Sequence, residues 1–416
     1  MTATNPPPRK SPQKRTVSPT QPPNVRSRAA MALSAAAAEG RFTLQVCPEC
    51  EAVQYPPRDA CVDCLNTDLI WKDVNPAGTL LAETTVNISV NLYFRERGDW
   101  RVGTVQLDAG PSVVCHLHTD CVADGRVTLL NRLDRAGEGV MLALPEGGKS
   151  TLQTDPQLNA LSSDPTHRRV LITDGRNPNA PALAKALLDA GAATVFVGEA
   201  ENWLMNPIRE ALEKMENVAI LPLDVTDTAS VQRLAAEIGG KTDILINNAR
   251  FLRPGGVMAR GDTQFAKQEM EVNYLGTMRL AQAFGGAMCA RTADGENSAV
   301  AWVNLMAVSA LTNQPSFGAF SASQAATRSL SQNMRSDFRA SGLRVMNVYS
   351  GPTDDEWHQP VHPPKVAPSA LARAVVGGLR DGLEEVYCGD IAQDIAKRFR
   401  DNPGLLEHEV SAGELG

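Results

Sequence analysis

The sequence lacks any uninterrupted apolar stretch of the roughly 20 residues that a membrane-spanning helix needs, and we expect no such helix. It also lacks a basic excess, because 40 Lys and Arg face 47 Asp and Glu, for a formal net charge of -7. Binding to nucleic acid needs a basic surface, so this balance argues against nucleic acid as a partner. Cysteine is sparse, with 8 in 416 residues, and half of these stand in two close pairs. This usage favours metal binding in a reducing cytoplasm over a disulfide framework.

The chain is too long for one hydrophobic core, so we expect several domains. Residues 1–38 contain seven prolines but no acidic residue, and a segment of this composition cannot bury a core. We therefore expect a disordered leader there. The remainder divides into a metal-binding ribbon, a small β-barrel, a linker, an α/β domain and a tail, at residues 39–75, 76–150, 151–167, 168–392 and 393–416.

Four cysteines follow the pattern Cys-x2-Cys-x10-Cys-x2-Cys, and they are Cys47, Cys50, Cys61 and Cys64. Two such pairs aim four thiolates at one point, which matches the closed tetrahedral shell that zinc prefers in structural sites. Four protein ligands leave no position for water, so we expect a structural metal rather than a catalytic one. Four free thiols are one alternative, and iron is another because four-sulfur shells accept both metals.

The segment that follows is rich in Val, Leu and Thr and has the turn signals of a small barrel. Its predicted strands lie at 79–86, 101–107, 112–118, 126–131 and 140–144. A second cluster of cysteine and histidine lies on the third of these strands. Strand alternation sends Cys115 to one face and His116 and His118 to the other, so the cluster does not converge on a metal. We expect both histidines to be exposed.

From residue 168 the pattern changes to buried strands that alternate with helices. Strands are predicted at 170–173, 194–197, 244–246 and 299–304, and helices at 182–190, 263–285 and 321–341. This alternation is typical of a doubly wound, parallel α/β sheet of the Rossmann type.

The first half of the chain resembles the rubredoxin-like zinc-ribbon and OB-fold accessory proteins of acyl-CoA metabolism. The resemblance covers about residues 40–145 and is carried by the cysteine spacing, the segment 55–58 and Gly78-Thr79 at the start of the barrel. It implies an OB-type barrel, a thiolase-like partner enzyme (a thiolase or an aldolase), and a contribution to the acyl-CoA site of that complex. OB barrels elsewhere bind nucleic acid, but residues 66–150 hold eight Lys or Arg against eleven Asp or Glu, which disfavours that role.

Residues 168–392 resemble the short-chain dehydrogenase/reductase family through landmarks in a fixed order. These are the sequences Val-Leu-Ile-Thr, Leu-Asp-Val-Thr, Ile-Asn-Asn-Ala, Val-Asn-Tyr-Leu-Gly and Phe-Ser-Ala-Ser-Gln-Ala-Ala, which begin at residues 170, 223, 246, 272 and 320. The resemblance implies a Rossmann-like domain that could form homo- or hetero-oligomers through its long helices.

The phosphate-binding turn of that family, Thr-Gly-x3-Gly-x-Gly, has lost its glycines in this chain. Asp174, Pro178 and Ala180 take the three glycine positions, and they add a carboxylate, remove an N–H group and add a methyl group. Poor pyrophosphate binding follows, so we expect NAD not to bind.

Other cofactor positions persist as a vestigial site. By resemblance, Glu199 would hold the ribose, Asp224 would lie beside the adenine, and Asn247 stands in the Asn-Asn-Ala-Gly motif. The glycine of that motif is Arg250 here, which could fill the nicotinamide site or pair with Asp174.

The resemblance assigns carbonyl reduction to a Tyr, a Lys four residues later, a Ser and a supporting Asn. The Tyr position is Phe320, the Lys position is Gln324 and the Ser position is Ala307, while Asn273 is retained. Phenylalanine has no proton to give, and glutamine carries no charge with which to lower the pKa of a neighbour. We expect no catalytic residue in this half, and we expect Asn273 to brace a helix irregularity.

The loop at 351–359 follows the last predicted strand, where the family places its substrate loop. Its Trp357, His358 and acidic residues could contact a ligand or a partner, or could form a solvated loop.

Two functions remain open, besides the disfavoured binding of nucleic acid. The first is a non-catalytic accessory subunit of a thiolase-like, acyl-CoA-processing complex. The alternative is an NAD-dependent short-chain dehydrogenase that acts on a 3-hydroxyacyl-CoA through an atypical site.

Overall fold

The computed structural model describes residues 19–24, 27–201, 206–293, 298–355, 358–359 and 364–413. The chain forms two compact units, one built from 19–164 with Leu379–Glu384 and one built from Pro165–Gly378 with 385–413. Among the described residues, no helix combines the length and apolar character needed to cross a membrane.

The first unit begins with an eight-residue helix, α1, at Met31–Ala38. A three-stranded antiparallel sheet follows, in the order β2-β1-β3, formed by β1 (Thr43–Val46), β2 (Val53–Gln54) and β3 (Ile70–Asp73). This small sheet carries the two cysteine pairs on its connecting turns. Leu44 of β1 is buried in the barrel core, and Val53 and Trp71 pack against the same cluster.

Five strands then close into a barrel in the order β4-β5-β6-β8-β7, which confirms the OB-type prediction. The strands are β4 (Ala77–Val86), β5 (Trp100–Leu107), β6 (Ser112–Leu117), β7 (Arg126–Leu133) and β8 (Gly139–Pro145). Alternate residues of β5 and β6 point inward, so Val105, Leu107 and Val113 are fully buried in the barrel core. A short helix, α2 (Leu92–Arg95), lies in the connection between β4 and β5.

The second unit contains a seven-stranded parallel sheet in the order β11-β10-β9-β12-β13-β14-β15, which confirms the doubly wound prediction. The strands are β9 (Arg169–Ile172), β10 (Thr194–Glu199), β11 (Val218–Pro222), β12 (Ile244–Asn247), β13 (Ala301–Ala307), β14 (Arg344–Ser350) and β15 (Glu385–Cys388). All residues of β12 and β14 are buried, as expected for strands covered by helices on both faces. The chain reverses direction across the sheet between β9 and β12.

Ten further α-helices follow α2 in the described part of the chain, most of them between strands of the parallel sheet. They are α3 (Pro156–Asn159, in the first unit), α4 (Ala180–Asp189), α5 (Pro207–Glu213), α6 (Thr228–Ile238), α7 (Gln264–Glu269), α8 (Gly276–Ala290), α9 (Gly318–Phe338), α10 (Pro368–Asp381), α11 (Asp390–Asp401) and α12 (Pro403–Ser411). A π-helical turn, Met270–Leu275, joins α7 to α8.

Three expected boundaries need correction. The expected leader includes α1, whose Leu33 packs in the barrel core, while residues 1–18 and 25–26 lie outside the described residues. The expected linker 151–167 is packed as well, because Leu152, Leu158 and Leu161 form an apolar cluster with Leu142 of the barrel. These segments bury apolar side chains that composition alone did not assign to any core.

The expected tail 393–416 is part of the second unit rather than an extension from it. It supplies most of α11 and all of α12, and Leu406 and Val410 of α12 are buried with Met306 and Tyr349. Residues 414–416 lie outside the described residues.

Candidate functional sites

The four cysteines of the ribbon converge. Their Sγ atoms all lie within 4.8 Å of one another, with Cys47 to Cys64 and Cys50 to Cys61 each at 3.5 Å. Tetrahedral bonds of about 2.3 Å from sulfur to zinc place neighbouring sulfurs roughly 3.8 Å apart, so this cluster has the dimensions of a zinc shell. Cys47 and Cys61 are buried, and Cys50 and Cys64 are exposed.

Both cysteine pairs lie on turns of the same construction. The backbone N–H groups of Glu51 and Leu65 donate to the carbonyls of Cys47 and Cys61, at 2.9 and 3.2 Å. Glu51 and Leu65, each directly after the second cysteine of a pair, have positive φ angles of 61° and 63°. A left-handed residue at the same place in each turn bends the chain so that both thiols of a pair face the common centre.

The second cysteine and histidine cluster does not converge, but the expectation that its histidines are exposed is wrong. The His118 side chain is buried, and its Nε2 lies 2.9 Å from Oγ1 of Thr154. His116 packs against Trp100 and Phe94, with ring centroids 5.3 and 6.0 Å away. Burial lowers the pKa of His116 to about 4, so the ring is neutral at pH 7.

In the second unit, the turn after β9 is held by side-chain amides. Oδ1 of Asn248 accepts a hydrogen bond of 2.7 Å from the N–H of Asp174, and Nδ2 of Asn177 donates to the Asn248 carbonyl at 2.8 Å. The N–H of Gly175 donates to the carbonyl of Gly198 on β10, and a Cβ at Gly175 would lie 2.8 Å from Val197. The glycine in this turn therefore allows close packing on β10.

Asp174 places a carboxyl group in this turn. Burial raises the pKa of its carboxyl, although the charge of Arg176 opposes that shift. The N–H groups of Asp174 and Gly175 already donate to Asn248 and Gly198, whereas a phosphate-binding turn presents free N–H groups.

The three vestigial cofactor residues bond within the protein. Glu199 is buried, and its carboxylate accepts hydrogen bonds from Arg209 at 3.0 Å and Asn206 at 3.3 Å. Oδ1 of Asp224 accepts from the N–H and the hydroxyl of Thr226, and Nδ2 of Asn247 donates to Oγ1 of Thr277 at 2.8 Å. Glu199 thus already has a charged partner within the protein.

The positions at which the family carries out its chemistry are brought together and filled with other groups. Phe320 is only 2% exposed and lies in an apolar cluster with Leu252, Phe317 and Ala307. Oε1 of Gln324 accepts a hydrogen bond of 2.9 Å from the N–H of Ala307. The side chain at the lysine position is thus bonded to the backbone at the serine position. Neither the amide of Gln324 nor the methyl group of Ala307 can act as a general acid or base.

Asn273 lies in the π-helical turn between α7 and α8. Its Oδ1 accepts from the N–H of Phe251, and its Nδ2 donates to the carbonyl of Phe251 and to Oγ of Ser323, all at 2.8–2.9 Å. The side chain thus ties the irregular turn to the segment that follows β12 and to α9.

Arg250 follows β12 and pairs with Asp355 rather than with Asp174. A guanidinium nitrogen lies 2.6 Å from Oδ2 of Asp355 and 3.2 Å from Oγ1 of Thr353, and Oδ1 of Asp355 lies 2.7 Å from Nδ1 of His358. Burial raises the pKa of Asp355, but hydrogen bonds from His358 and Thr353 and the charge of Arg250 outweigh it. The pKa of Asp355 therefore lies well below its usual range.

Sequence reasoning missed the residues that complete these contacts. Arg209 was not singled out, and the acidic residues and His358 of the loop at 351–359 were expected to contact a ligand or a partner, or to be solvated, rather than to pair with Arg250. Trp357 of that loop lies outside the described residues. One sequence signal for these contacts was Arg250, a charged residue where the family has glycine. A largely buried arginine needs an acidic partner to offset its desolvation.

The architecture defines the class of the protein. It is a cysteine ribbon with a small barrel, joined in one chain to a Rossmann-type unit that has the short-chain dehydrogenase strand order and altered reactive positions.

Three family models match the chain. The ChsH2 rubredoxin-like zinc ribbon domain matches residues 34–69, the ChsH2 C-terminal OB-fold domain matches 71–130, and the short chain dehydrogenase model matches 168–365. The chain therefore carries a ChsH2-type zinc ribbon and OB-fold domain and a short-chain dehydrogenase domain, as a fusion.

Individual relatives align with the second unit. The short chain dehydrogenase pigC of Monascus ruber is 28% identical over 218 residues, which is 49% of this chain and 70% of that protein. A short chain dehydrogenase of Burkholderia cenocepacia, solved in complex with NADP, is 30% identical with a TM-score of 0.53, over 59% of this chain and 98% of that one. A short-chain dehydrogenase of Streptomyces avermitilis, at 20% identity and a TM-score of 0.50 over 60% and 98% of the two chains, shares the fold.

Proposed function

We propose that the protein is a non-catalytic accessory subunit of a thiolase-like, acyl-CoA-processing complex, in which the dehydrogenase-like unit serves as a scaffold. The ribbon and barrel, through their ChsH2-type family, support docking to a thiolase or an aldolase. Four cysteines within 4.8 Å support a structural zinc ion held by Cys47, Cys50, Cys61 and Cys64. Zinc would fix the two turns of the ribbon, and we place the protein in the cytoplasm, where such thiols stay reduced.

One observation carries the non-catalytic part of this proposal. The reactive positions of the dehydrogenase-like unit hold an apolar ring, a neutral amide and a methyl group, and the amide of Gln324 is bonded to the backbone of Ala307. Carbonyl reduction needs a proton donor beside the substrate oxygen, and Phe320 supplies none. The residues around the crevice also fit a dinucleotide poorly, because the N–H groups of Asp174 and Gly175 are already bonded within the protein and Glu199 is paired with Arg209.

Reconstitution tests the accessory role. The full chain is co-expressed with the thiolase-like enzyme encoded nearest to its gene, and the two are analysed by size-exclusion chromatography and by cleavage of an acyl-CoA thioester. We expect one stable complex, and at least about tenfold more cleavage than by the enzyme alone. The variant Phe320→Leu, which leaves the ribbon and barrel intact, should support the same activity. Separate elution with unchanged cleavage would contradict the proposal.

A second function has support from the comparisons. The solved relative at 30% identity is a complex with NADP, which favours an NAD(P)-dependent dehydrogenase that would act on a 3-hydroxyacyl-CoA. Titration of the full chain with NADH and with NADPH, followed by nicotinamide fluorescence, separates the two functions. Binding at micromolar concentrations would favour the dehydrogenase, and no binding at millimolar concentrations would favour the scaffold.

A further inference from the structure

The four thiols of the ribbon differ in how far each is open to solvent. Cys50 and Cys64, the second cysteines of their pairs, are exposed, whereas Cys47 and Cys61 are buried. A cysteine that binds zinc is a thiolate, and oxidation of cysteine follows thiolate character and exposure. The site therefore offers an oxidant two exposed sulfurs, one from each turn.

Two short contacts between sulfur atoms cross from one turn to the other. Sγ of Cys50 lies 3.5 Å from Sγ of Cys61, and Sγ of Cys64 lies 3.5 Å from Sγ of Cys47. Each contact joins one exposed thiol to one buried thiol. A sulfenic acid formed on an exposed sulfur would thus have a second thiolate within reach, which is the arrangement of a reactive and a resolving cysteine.

Two buried amides hold the second turn close to the first through hydrogen bonds that involve no cysteine. Gln45 of β1 binds the backbone of Arg58, because its Oε1 accepts from the N–H and its Nε2 donates to the carbonyl, both at 2.8 Å. Oε1 of Gln54, on β2, accepts from the N–H of Val62 at 3.2 Å. Strands β1 and β2 flank the first cysteine pair, so these bonds keep the two turns opposite each other.

The charges around the sulfurs favour an uncharged oxidant. Residues 47–64 carry four exposed acids against one Arg, for a local balance of -3, and the acids are Glu49, Glu51, Asp59 and Asp63. Glutathione disulfide is an anion and is repelled by such a surface at low ionic strength. Hydrogen peroxide has no charge and meets no such barrier.

We propose that the four-cysteine site is a redox switch, in which hydrogen peroxide converts the four thiolates to two disulfides and releases the zinc ion. The thiolate of Cys50 or Cys64 attacks one oxygen of the peroxide, the O–O bond breaks, and a sulfenic acid and a hydroxide ion form. The opposite thiolate then attacks that sulfur, and a second hydroxide leaves as the S–S bond forms. The products are Cys50–Cys61 and Cys47–Cys64.

Each disulfide consumes one peroxide, and zinc leaves without a change of oxidation state. The disulfides replace zinc as the link between the two turns, so the oxidised ribbon keeps its fold. A dithiol reductant supplies two electrons to each disulfide and restores the thiolates. The switch rests on the zinc ion of the proposed function and is independent of the accessory role.

Peroxide titration of the zinc-loaded full chain tests the switch. Zinc release is followed with a chromogenic chelator, and tryptic peptides are mapped by mass spectrometry without reduction. Cleavage after Arg41, Arg58 and Lys72 separates the two cysteine pairs, so only disulfides between the turns link peptides 42–58 and 59–72. We expect about one zinc per chain to leave, these peptides to be linked, and zinc to rebind after treatment with dithiothreitol.

Three results would overturn the switch. They are zinc that stays bound in excess peroxide, disulfides within each peptide rather than between the two, and sulfonic acids that dithiothreitol does not reverse. A chain that holds no zinc before oxidation would refute the zinc site and the switch together. A zinc-loaded chain that keeps its metal would refute the switch alone.

Two double variants test the choice of oxidant. At low ionic strength, Glu49→Gln with Glu51→Gln should speed zinc release by glutathione disulfide at least about threefold and leave the rate with peroxide unchanged. Glu216→Gln with Glu237→Gln removes two exposed acids of the second unit and should behave as the wild-type protein. Equal rates with glutathione disulfide in both double variants would overturn the selection of an uncharged oxidant.

Discussion

The ribbon and the dehydrogenase-like crevice both match known families, and they differ in how much of the family's site each has kept. In the ribbon every ligand position is kept, and two turns with the same backbone geometry bring four sulfurs within 4.8 Å. In the crevice the reactive positions have been replaced, and the replacements contact one another. The two turns of the ribbon depend on the metal that the thiolates would hold, whereas a large parallel sheet keeps its core when its reactive groups are replaced.

The altered positions of the dehydrogenase-like unit also have hydrogen-bond or ionic partners within the protein. The amide of Gln324 binds a backbone N–H, Glu199 has Arg209, and Asp355 has Arg250. Buried polar groups destabilise a fold when they lack hydrogen-bond or ionic partners. Gln324, Glu199 and Asp355 all have such partners, so they do not carry that cost.

The largest expected effect is at the ribbon. Cys61→Ser removes one buried ligand, and apparent zinc-binding free energies in small ribbons are about 10–16 kcal/mol, much of it folding energy. We expect zinc to fall from about one per chain to a small fraction by elemental analysis, with loss of hydrogen-exchange protection in residues 43–73. Cys289→Ser, in the second unit, should leave both unchanged. Full zinc content in Cys61→Ser, or iron in the wild-type protein, would contradict a zinc site of four cysteines.

The next effect concerns the filled crevice. The triple variant Ala307→Ser, Phe320→Tyr, Gln324→Lys restores the family's reactive groups, but Gln324 is 4% exposed and a lysine there would bury a charge. We expect a loss of about 3–5 kcal/mol in the free energy of unfolding of this unit, measured by urea denaturation, and no oxidation of NADPH with carbonyl substrates.

The matched control for that variant is Gln332→Lys, an exposed residue of the same helix. It should change the stability by less than about 0.5 kcal/mol. NADPH-dependent turnover by the triple variant would show that only three side chains separate this unit from an enzyme, and that the crevice still admits a dinucleotide.

Much of the fold could be predicted from the sequence because its signals are local. The barrel strands were predicted to within about two residues at each end, since alternation and turn residues mark them directly. The cysteine cluster was predictable because its spacing alone limits its geometry. The replacement of Tyr, Lys and Ser by Phe320, Gln324 and Ala307 could be predicted because the neighbouring family motifs keep their spacing in the sequence.

The rest depends on contacts between distant residues. The run that forms α1 is mostly alanine and has no clear apolar face, so only its packing on the barrel shows that it is structured. Arg250 and Asp355 are 105 residues apart, and the strand order that brings them together is a property of the whole sheet. His116 was misassigned because strand alternation does not show that helix α2 and Trp100 cover the outer face of β6.

The smallest expected effect is on the stability of the barrel and concerns His116. Its pKa is about 4 in the folded barrel because of burial, against about 6.5 in an unfolded chain. Between these values the unfolded chain binds more protons, so the barrel loses stability as the pH falls from about 6.5 to 4, by at most about 3 kcal/mol. His116→Phe should remove this part of the decline, as measured by hydrogen exchange of barrel peptides at several pH values. His408→Phe, at an exposed site in the second unit, should keep the wild-type decline, and an identical pH profile for His116→Phe would show that His116 is not held neutral by the barrel.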